Sequence, residues 1–316
     1  MTGQHSGSGA ESLCCPACLG ALREDKGLQS HSLRCDSCSR VYPVQRGLPR
    51  LTLDAGAGAK VRSFGFQWRI RQSGWFERGT LYGLSADAER DNFFGGLGIR
   101  PEDLRHRLVV DVGCGDGFLL TILGQDPTAR LLGMDLSASA ELAAEKCRNL
   151  PNVTVVQADL FAPPLPPGSV DVVWCEGVLV HTGNPRRGFE KLAALVRPGG
   201  RLYVWVYSAE RLTVYQRVRD FLRIAHKLPA PVLVALSYLL ALPVAGVQRL
   251  FRGKRATRFQ TAAFAMFDNL SPPIQTRHTA AELRSWFEAC GFVDLLESGS
   301  VGMSGSRPRE VKVEQP

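Results

Sequence analysis

Whatever this chain folds into must accommodate Leu108-Val109-Val110-Asp111-Val112-Gly113-Cys114-Gly115-Asp116-Gly117. The apolar, β-branched run predicts a fully buried strand, and it stops at three glycines spaced by two. Phe118-Leu119-Leu120-Thr121-Ile122-Leu123 then starts a helix. Strand, tight turn and helix follow in a dozen residues. Glycine suits such a turn because it reaches positive φ at little cost and lets a ligand approach the backbone closely. The turn reads as a binding element.

Its spacing narrows the ligand. Dinucleotide-binding turns place their third glycine three residues after the second, and Asp116 would repel a pyrophosphate, so a nicotinamide oxidoreductase is a remote reading. A nucleoside cofactor without phosphates fits better. Here Val110-Asp111-Val112-Gly113-Cys114-Gly115-Asp116-Gly117 resembles the first motif of the class I S-adenosylmethionine-dependent methyltransferases.

The following segments continue the alternation. Leu131-Leu132-Gly133-Met134-Asp135 is a second strand whose acid falls twenty residues after Gly115, the separation at which a carboxylate accepts hydrogen bonds from ribose hydroxyls. Val153 to Asp159 is a third strand and Val170 to Glu176 a fourth. Arg197-Pro198-Gly199-Gly200 leads into a fifth, Arg201 to Tyr207. Taken singly, a strand-end Asp is often only an N-cap or turn residue. The series predicts an α/β fold, a doubly wound, seven-stranded Rossmann-like sheet over 108–207 and 279–316.

The resemblance, which covers about residues 100–207 and the tail, implies a cofactor site. It comprises Asp111, Gly113, Cys114, Gly115 and Gly117 at the turn, Asp135 with Leu136, Asp159 and Leu160 beside the adenine, and Cys175. It also implies methyl transfer at the exit of the fourth strand, where Glu176 and His181 are candidate proton acceptors. A plain loop histidine is the rival reading of His181. Near the tail, His278, with Asp268 and Arg277, is a further candidate, surface loop positions being the equal alternative.

Cys15-Pro16-Ala17-Cys18 and Cys35-Asp36-Ser37-Cys38 are two Cys-x-x-Cys pairs separated by sixteen residues. Two such knuckles complete a closed four-sulfur site for structural Zn2+, with no open position for water. A redox motif needs only one pair, next to a βαβ unit. Cys14 is left over. Residues 13–53 resemble the small zinc ribbons that activate tRNA and protein methyltransferases and that are also fused in front of bacterial ones. That likeness carries no substrate identity.

Residues 1–12 read as a disordered Gly/Ser-rich tail without an apolar signal core. Nine cysteines in this setting argue for reduced thiols and a cytoplasmic protein. Residues 54–107 form a small-residue linker and an aromatic, Arg-rich arm around Phe64, Phe66, Trp68, Trp75 and Phe76. Packing onto the sheet is its plain reading, while the resemblance implies a lid over the cofactor. Ser85 caps a following helix.

Residues 208–278 read as a helical insertion. Its centre, 229–247, has no charge and is flanked by basic residues on both sides. A membrane span needs ~20 apolar residues, and the prolines are expected to cut the helical core here to about eleven. The readings are a buried cap over the substrate pocket, an in-plane helix on an anionic membrane, and a span, in that order. Thr279-x-x-Glu282 is a capping box, Phe292 to Leu296 a sixth strand, and Val311-Lys312-Val313 a weak edge strand. Net charge of +8 is compatible with RNA, an anionic membrane or solubility alone.

These readings converge on a methyltransferase acting on a small-molecule or lipid-like acceptor, possible membrane contact being made through 229–247. An RNA methyltransferase is the alternative, supported by the ribbon and the charge. A non-catalytic scaffold is a third.

Overall fold

The computed structural model describes residues 13–26, 31–54, 61–76, 80–252, 258–299 and 301–309. Five strands, β5 (Leu108–Val112), β6 (Arg130–Asp135), β7 (Val153–Ala158), β8 (Val170–Glu176) and β9 (Val196–Trp205), pair in parallel in the order β7-β6-β5-β8-β9. The chain therefore runs outward in both directions from β5, whose five residues are all buried. A crevice opens at the carboxyl ends of strands where the order reverses.

Alternation along the strands feeds two cores. Val110, Val112, Leu132 and Met134 pack with Phe189 and Leu192 of α5 (Pro185–Leu195) and with Trp286 and Phe287 of α9 (Ala280–Ala289). Val109, Leu131, Trp174 and Tyr203 face the other way. They meet Phe93 and Leu97 of α2 (Ala86–Leu97), Leu119 and Leu120 of α3 (Phe118–Leu123), and Ala140 and Ala143 of α4 (Ser139–Cys147). Trp174 and Tyr203 stack with ring centroids 3.8 Å apart. Such aromatic pairs add to stability beyond the area they bury.

The expected sixth strand is β10 (Val293–Ser298). The edge strand expected at 311–313 lies outside the described residues. Instead β11 (Gly302–Ser306) runs between β9 and β10, antiparallel to both. Gly-Met-Ser-Gly-Ser carries little strand propensity, which is why the sequence reading passed over it. The ladder from Gly302–Trp205 to Ser306–Arg201 forms it instead.

At the opposite edge, β1 (Leu22–Lys26), β2 (His31–Cys35), β3 (Val41–Gln45) and β4 (Leu48–Leu51) make the N-terminal ribbon. The ribbon joins the main sheet, because β4 pairs in parallel with β7 through Arg50–Gln157 and Leu51–Ala158. Arg50 also donates to Glu141 Oε1 at 2.6 Å. Among the described residues the two sheets thus become one of eleven strands.

A third, separate cluster belongs to the helices α1 (Arg62–Gln72), α6 (Val214–Phe221), α7 (Ala230–Arg252) and α8 (Phe259–Leu270). Helix α7 corrects the expectation of an eleven-residue core, since it runs for 23 residues with Pro243 inside it. Pro229 precedes it and Pro231 sits in its first turn, where a missing N–H is harmless. Pro243 lies on the exposed side, so the Leu239 carbonyl that loses its partner is open to water. Helix α7 packs on α8 through Leu233, Val234 and Ala241.

Candidate active site

A cavity of about 760 Å³ opens at the carboxyl ends of β5, β6 and β8. Its floor is the glycine turn. Gly113 and Gly115 hold φ of +76° and +54°. A Cβ on Gly113 would collide with Val178, and one on Gly115 would lie 2.6 Å from the Trp68 ring. Both the dihedrals and the space exclude a side chain. The turn is pinned from β6: Asp135 accepts from the Gly115 amide at 3.0 Å and, with its other oxygen, from the Ser137 amide at 2.7 Å. Burial pushes the Asp135 carboxyl up, and these two amides oppose the shift.

Among the other carboxylates that face the cavity, three are Asp111 near the end of β5, Glu176 at the end of β8, and Glu89 on α2. Glu89 and Asp111 are 2% and 6% exposed, and among the described residues none of the three is ion-paired. Burial, reinforced by Glu89, Glu176 and Asp135, holds the Asp111 carboxyl well above its usual range. Burial and then Glu89 push Glu176 up to about 7. Crowded, desolvated carboxyls of this kind favour a cationic guest. S-adenosylmethionine carries a sulfonium and an ammonium, so the donor set fits it.

The far wall comes from helices. Helix α1 turns Phe64, Gln67, Trp68 and Arg71 inward at helical spacing. Arg71 bonds to Asp116, the acid between the glycines, which also receives Lys146 at 2.5 Å. Asp116 is fully buried, so its charge is matched by these cations and fastens α1 to the turn. Gln67 donates to Asp268 of α8 at 2.6 Å, and Tyr207 donates to the other Asp268 oxygen at 3.2 Å. His181 Nδ1 lies 2.9 Å from the Ile274 carbonyl. A carbonyl only accepts, so Nδ1 carries the proton and Nε2 is left as an acceptor. Burial lowers the His181 pKa against the opposing pull of Asp268.

Of the residues expected to hold cofactor, Asp111, Gly113, Cys114, Asp135, Leu136, Asp159 and Leu160 line this cavity. Three do not. Gly115 lies beneath Trp68, Gly117 packs against Ala143 of α4, and Cys175 alternates to the opposite face of β8, where it is fully buried in the core. Glu176 and His181 line the cavity as expected of candidate bases. His278 does not: its Nδ1 meets Glu282 Oε1 at 2.9 Å, its Nε2 meets Thr276 Oγ1 at 3.0 Å, and its ring packs on Trp286. Arg277 is likewise occupied by Asp220 at 2.7 Å. The buried cap expected of 229–247 is also corrected, because no residue of α7 lines the cavity; α1, α6 and α8 cover it. Glu89 escaped the sequence reading. Its signal was a carboxylate in line with Phe93 and Leu97 on the apolar face of α2.

In the ribbon, the sulfurs of Cys15, Cys18, Cys35 and Cys38 all lie within 4.8 Å of one another. Cys15 and Cys38 are 3.6 Å apart, Cys18 and Cys35 3.5 Å. Tetrahedral zinc with bonds of about 2.3 Å sets sulfurs about 3.8 Å apart, so the set fits the ion. Cys14 stays outside the group, tied to the proline loop by its amide on the Pro164 carbonyl at 2.9 Å.

Known proteins share this core. Residues 110–204 match the family model of the methyltransferase domain, Methyltransf_11. A 37.1 kDa protein from transposon Tn4556 of Streptomyces fradiae is 34% identical over 108 residues, which cover 33% of this chain and 31% of that protein. The ubiquinone biosynthesis O-methyltransferase of Cupriavidus pinatubonensis is 38% identical over 104 residues, 32% of this chain and 41% of that enzyme. The chain thus spans less than half the length of either relative. One chain of the complex between the Haloferax volcanii Trm112 methyltransferase activator and a methyltransferase superposes with a TM-score of 0.50 at 17% identity, covering 79% of this chain and 99% of that one. At that identity the likeness is one of fold.

Proposed function

We propose that this chain, whose residues 110–204 match a methyltransferase domain, is a class I S-adenosylmethionine-dependent enzyme that transfers a methyl group to a small apolar or lipid-like acceptor. One observation carries the reading: the cavity that begins at Gly113, Asp135 and Asp159 continues without a break into a chamber walled by Phe64, Tyr207, Tyr215 and Ile274. Enclosed, mostly apolar pockets with a few convergent polar groups suit small molecules.

When bound, S-adenosylmethionine supplies a methyl group on a positively charged sulfur. Asp135 would hold its ribose and Asp159 its adenine, while Glu89 and Asp111 neutralise its positive charge. Glu176, near neutrality, takes the proton from an acceptor hydroxyl or amine onto its carboxylate oxygen. His181 Nε2 and Asp268 orient the acceptor, and α1 excludes water. Alignment and dryness supply most of what an in-line displacement needs. In the ribbon, Cys15, Cys18, Cys35 and Cys38 would hold structural zinc. None of the nine cysteines is in a disulfide, and a reducing, cytoplasmic setting is part of the proposal.

Calorimetric titration of the zinc-loaded protein with S-adenosylmethionine and S-adenosylhomocysteine, followed by a radiolabelled methyl-transfer screen over lipids, small metabolites and RNA, tests the reading. Saturable binding that disappears in Asp135→Ala, with label entering an apolar metabolite or lipid, is expected. A folded protein that binds neither compound overturns the enzyme reading, and label in RNA alone overturns the acceptor class.

A further inference from the structure

Helix α7 lines no part of the cavity, yet among the described residues it is the one helix long and apolar enough to cross a membrane. Its buried side, Leu233, Val234, Ser237 and Ala241, rests on α8 and the helical cluster. On the opposite side Val232, Leu239, Leu242, Val247 and Leu250 are 50–80% exposed, with Pro243 and Gly246 between them. At 100° per residue these positions fall within one uninterrupted stripe, with no charged residue from Ala230 to Gln248. Before it, Phe221 and Ile224 stand 87% and 68% exposed. Contiguous apolar surface on this scale marks an interaction site.

Charge identifies the partner. Residues 211–258 hold ten Arg and Lys and a single acid, Asp220, so this segment alone accounts for the whole of the chain's +8. In the chain, the exposed Arg217, Arg223 and Lys227 precede the stripe and the exposed Arg249 falls at its C-terminal end. Apolar side chains bordered by cations match the acyl boundary and anionic headgroups of a bilayer. We propose that α7 docks lengthwise, in the plane of an anionic membrane, with its outer stripe among the headgroups and upper acyl chains.

A crossing helix is a poorer fit. Helix α7 is passable by length and composition, but its inner side is fastened to α8, most of whose residues are buried in the domain. Basic residues at both ends also leave no preferred side. Lying flat, the 23-residue helix is about 35 Å long and its stripe from Val232 to Leu250 about 27 Å. Helix α6 lies between the two in the chain, since its Tyr215 and Gln216 line the cavity while its exposed Phe221 comes nine residues before the start of α7. Docking is independent of methyl transfer; only the supply of acceptor from the bilayer rests on the function proposed above.

Flotation of the full-length protein tests this, with vesicles of phosphatidylcholine alone or of phosphatidylcholine and phosphatidylglycerol two to one. Binding to the mixed vesicles only, weakened by salt, is expected. Leu239→Glu with Leu242→Glu should lower the bound fraction by roughly tenfold or more, and Arg223→Glu with Lys227→Glu should remove the preference for anionic lipid. Because these residues are exposed, thermal midpoint and far-ultraviolet circular dichroism should stay unchanged, and S-adenosylmethionine titration of the same variants separates loss of docking from loss of the cofactor site. Failure to float, or binding indifferent to the paired Glu substitutions, overturns the proposal. So does a lipid-free dimer in sedimentation that those substitutions dissolve, which would assign the stripe to a second copy of this chain.

Discussion

The two walls of the cavity are built in opposite ways. The wall proposed for the cofactor is made of strand ends and the turns that leave them, so each of its side chains is fixed by the hydrogen-bonded ladder of a buried sheet. The wall proposed for the acceptor comes from α1, α6 and α8, segments before and after the core: Gln67–Asp268 joins α1 to α8, while Tyr207–Asp268 and Arg71–Asp116 tie α8 and α1 to the core. A wall of the first kind is set by local sequence. One of the second kind depends on contacts between residues up to 201 positions apart, and it can change shape or chemistry without disturbing the sheet.

Substitutions that strike one wall and spare the other give this contrast a test. The largest effect is expected at Glu176, where the walls meet. Glu176→Gln should lower kcat by 10²- to 10⁴-fold, the usual range for loss of a general base, with cofactor affinity unchanged. A base must be deprotonated to act, so the wild-type rate should rise with pH through about 7, and that rise should vanish in the variant. A retained pH profile would remove Glu176 from the chemistry. Asp135→Ala comes next. It leaves the Gly115 and Ser137 amides without their acceptor and should weaken S-adenosylhomocysteine by roughly 10- to 100-fold, from the worth of hydrogen bonds to a charged group.

Asp268→Asn keeps the shape and removes the charge on the helical wall. It should raise KM for the acceptor by roughly tenfold, as expected of one hydrogen bond to a charged group, while calorimetry with cofactor alone detects no change. Equal losses on both ligands would show that the walls are mechanically coupled. The smallest effect belongs to His278→Ala. It should cost about 1 kcal/mol in denaturant unfolding, the typical worth of its hydrogen bonds, and leave kcat and both affinities as they were.

The same division explains what could be read in advance. Strand β5, its glycines, and the acids ending β6, β7 and β8 announce themselves because burial and tight turns force particular residue types at fixed spacing. Cys175 misled because a position in the motif says nothing about which face of the strand a side chain takes. His278 misled because a histidine beside a capping box is as well suited to bracing a helix. Strand β11 and the run of α7 through Pro243 were illegible for a different reason: tertiary pairing made a strand from glycine and serine, and solvent on the outer side excused a proline. Glu89 was legible only to a reader of α2's apolar face, and Gln67 and Asp268 carry no local signal of their partnership.

Strand β4 has one further consequence. By pairing with β7 it covers what would otherwise be the free edge of the parallel sheet, and a free edge recruits strands from other molecules. If the four cysteines hold zinc as proposed, a ribbon that loosens on losing it would uncover the backbone around Gln157 and Ala158. Zinc starvation would then reach this protein first as aggregation, with the strand that ends beside Asp159 as the point of contact between chains.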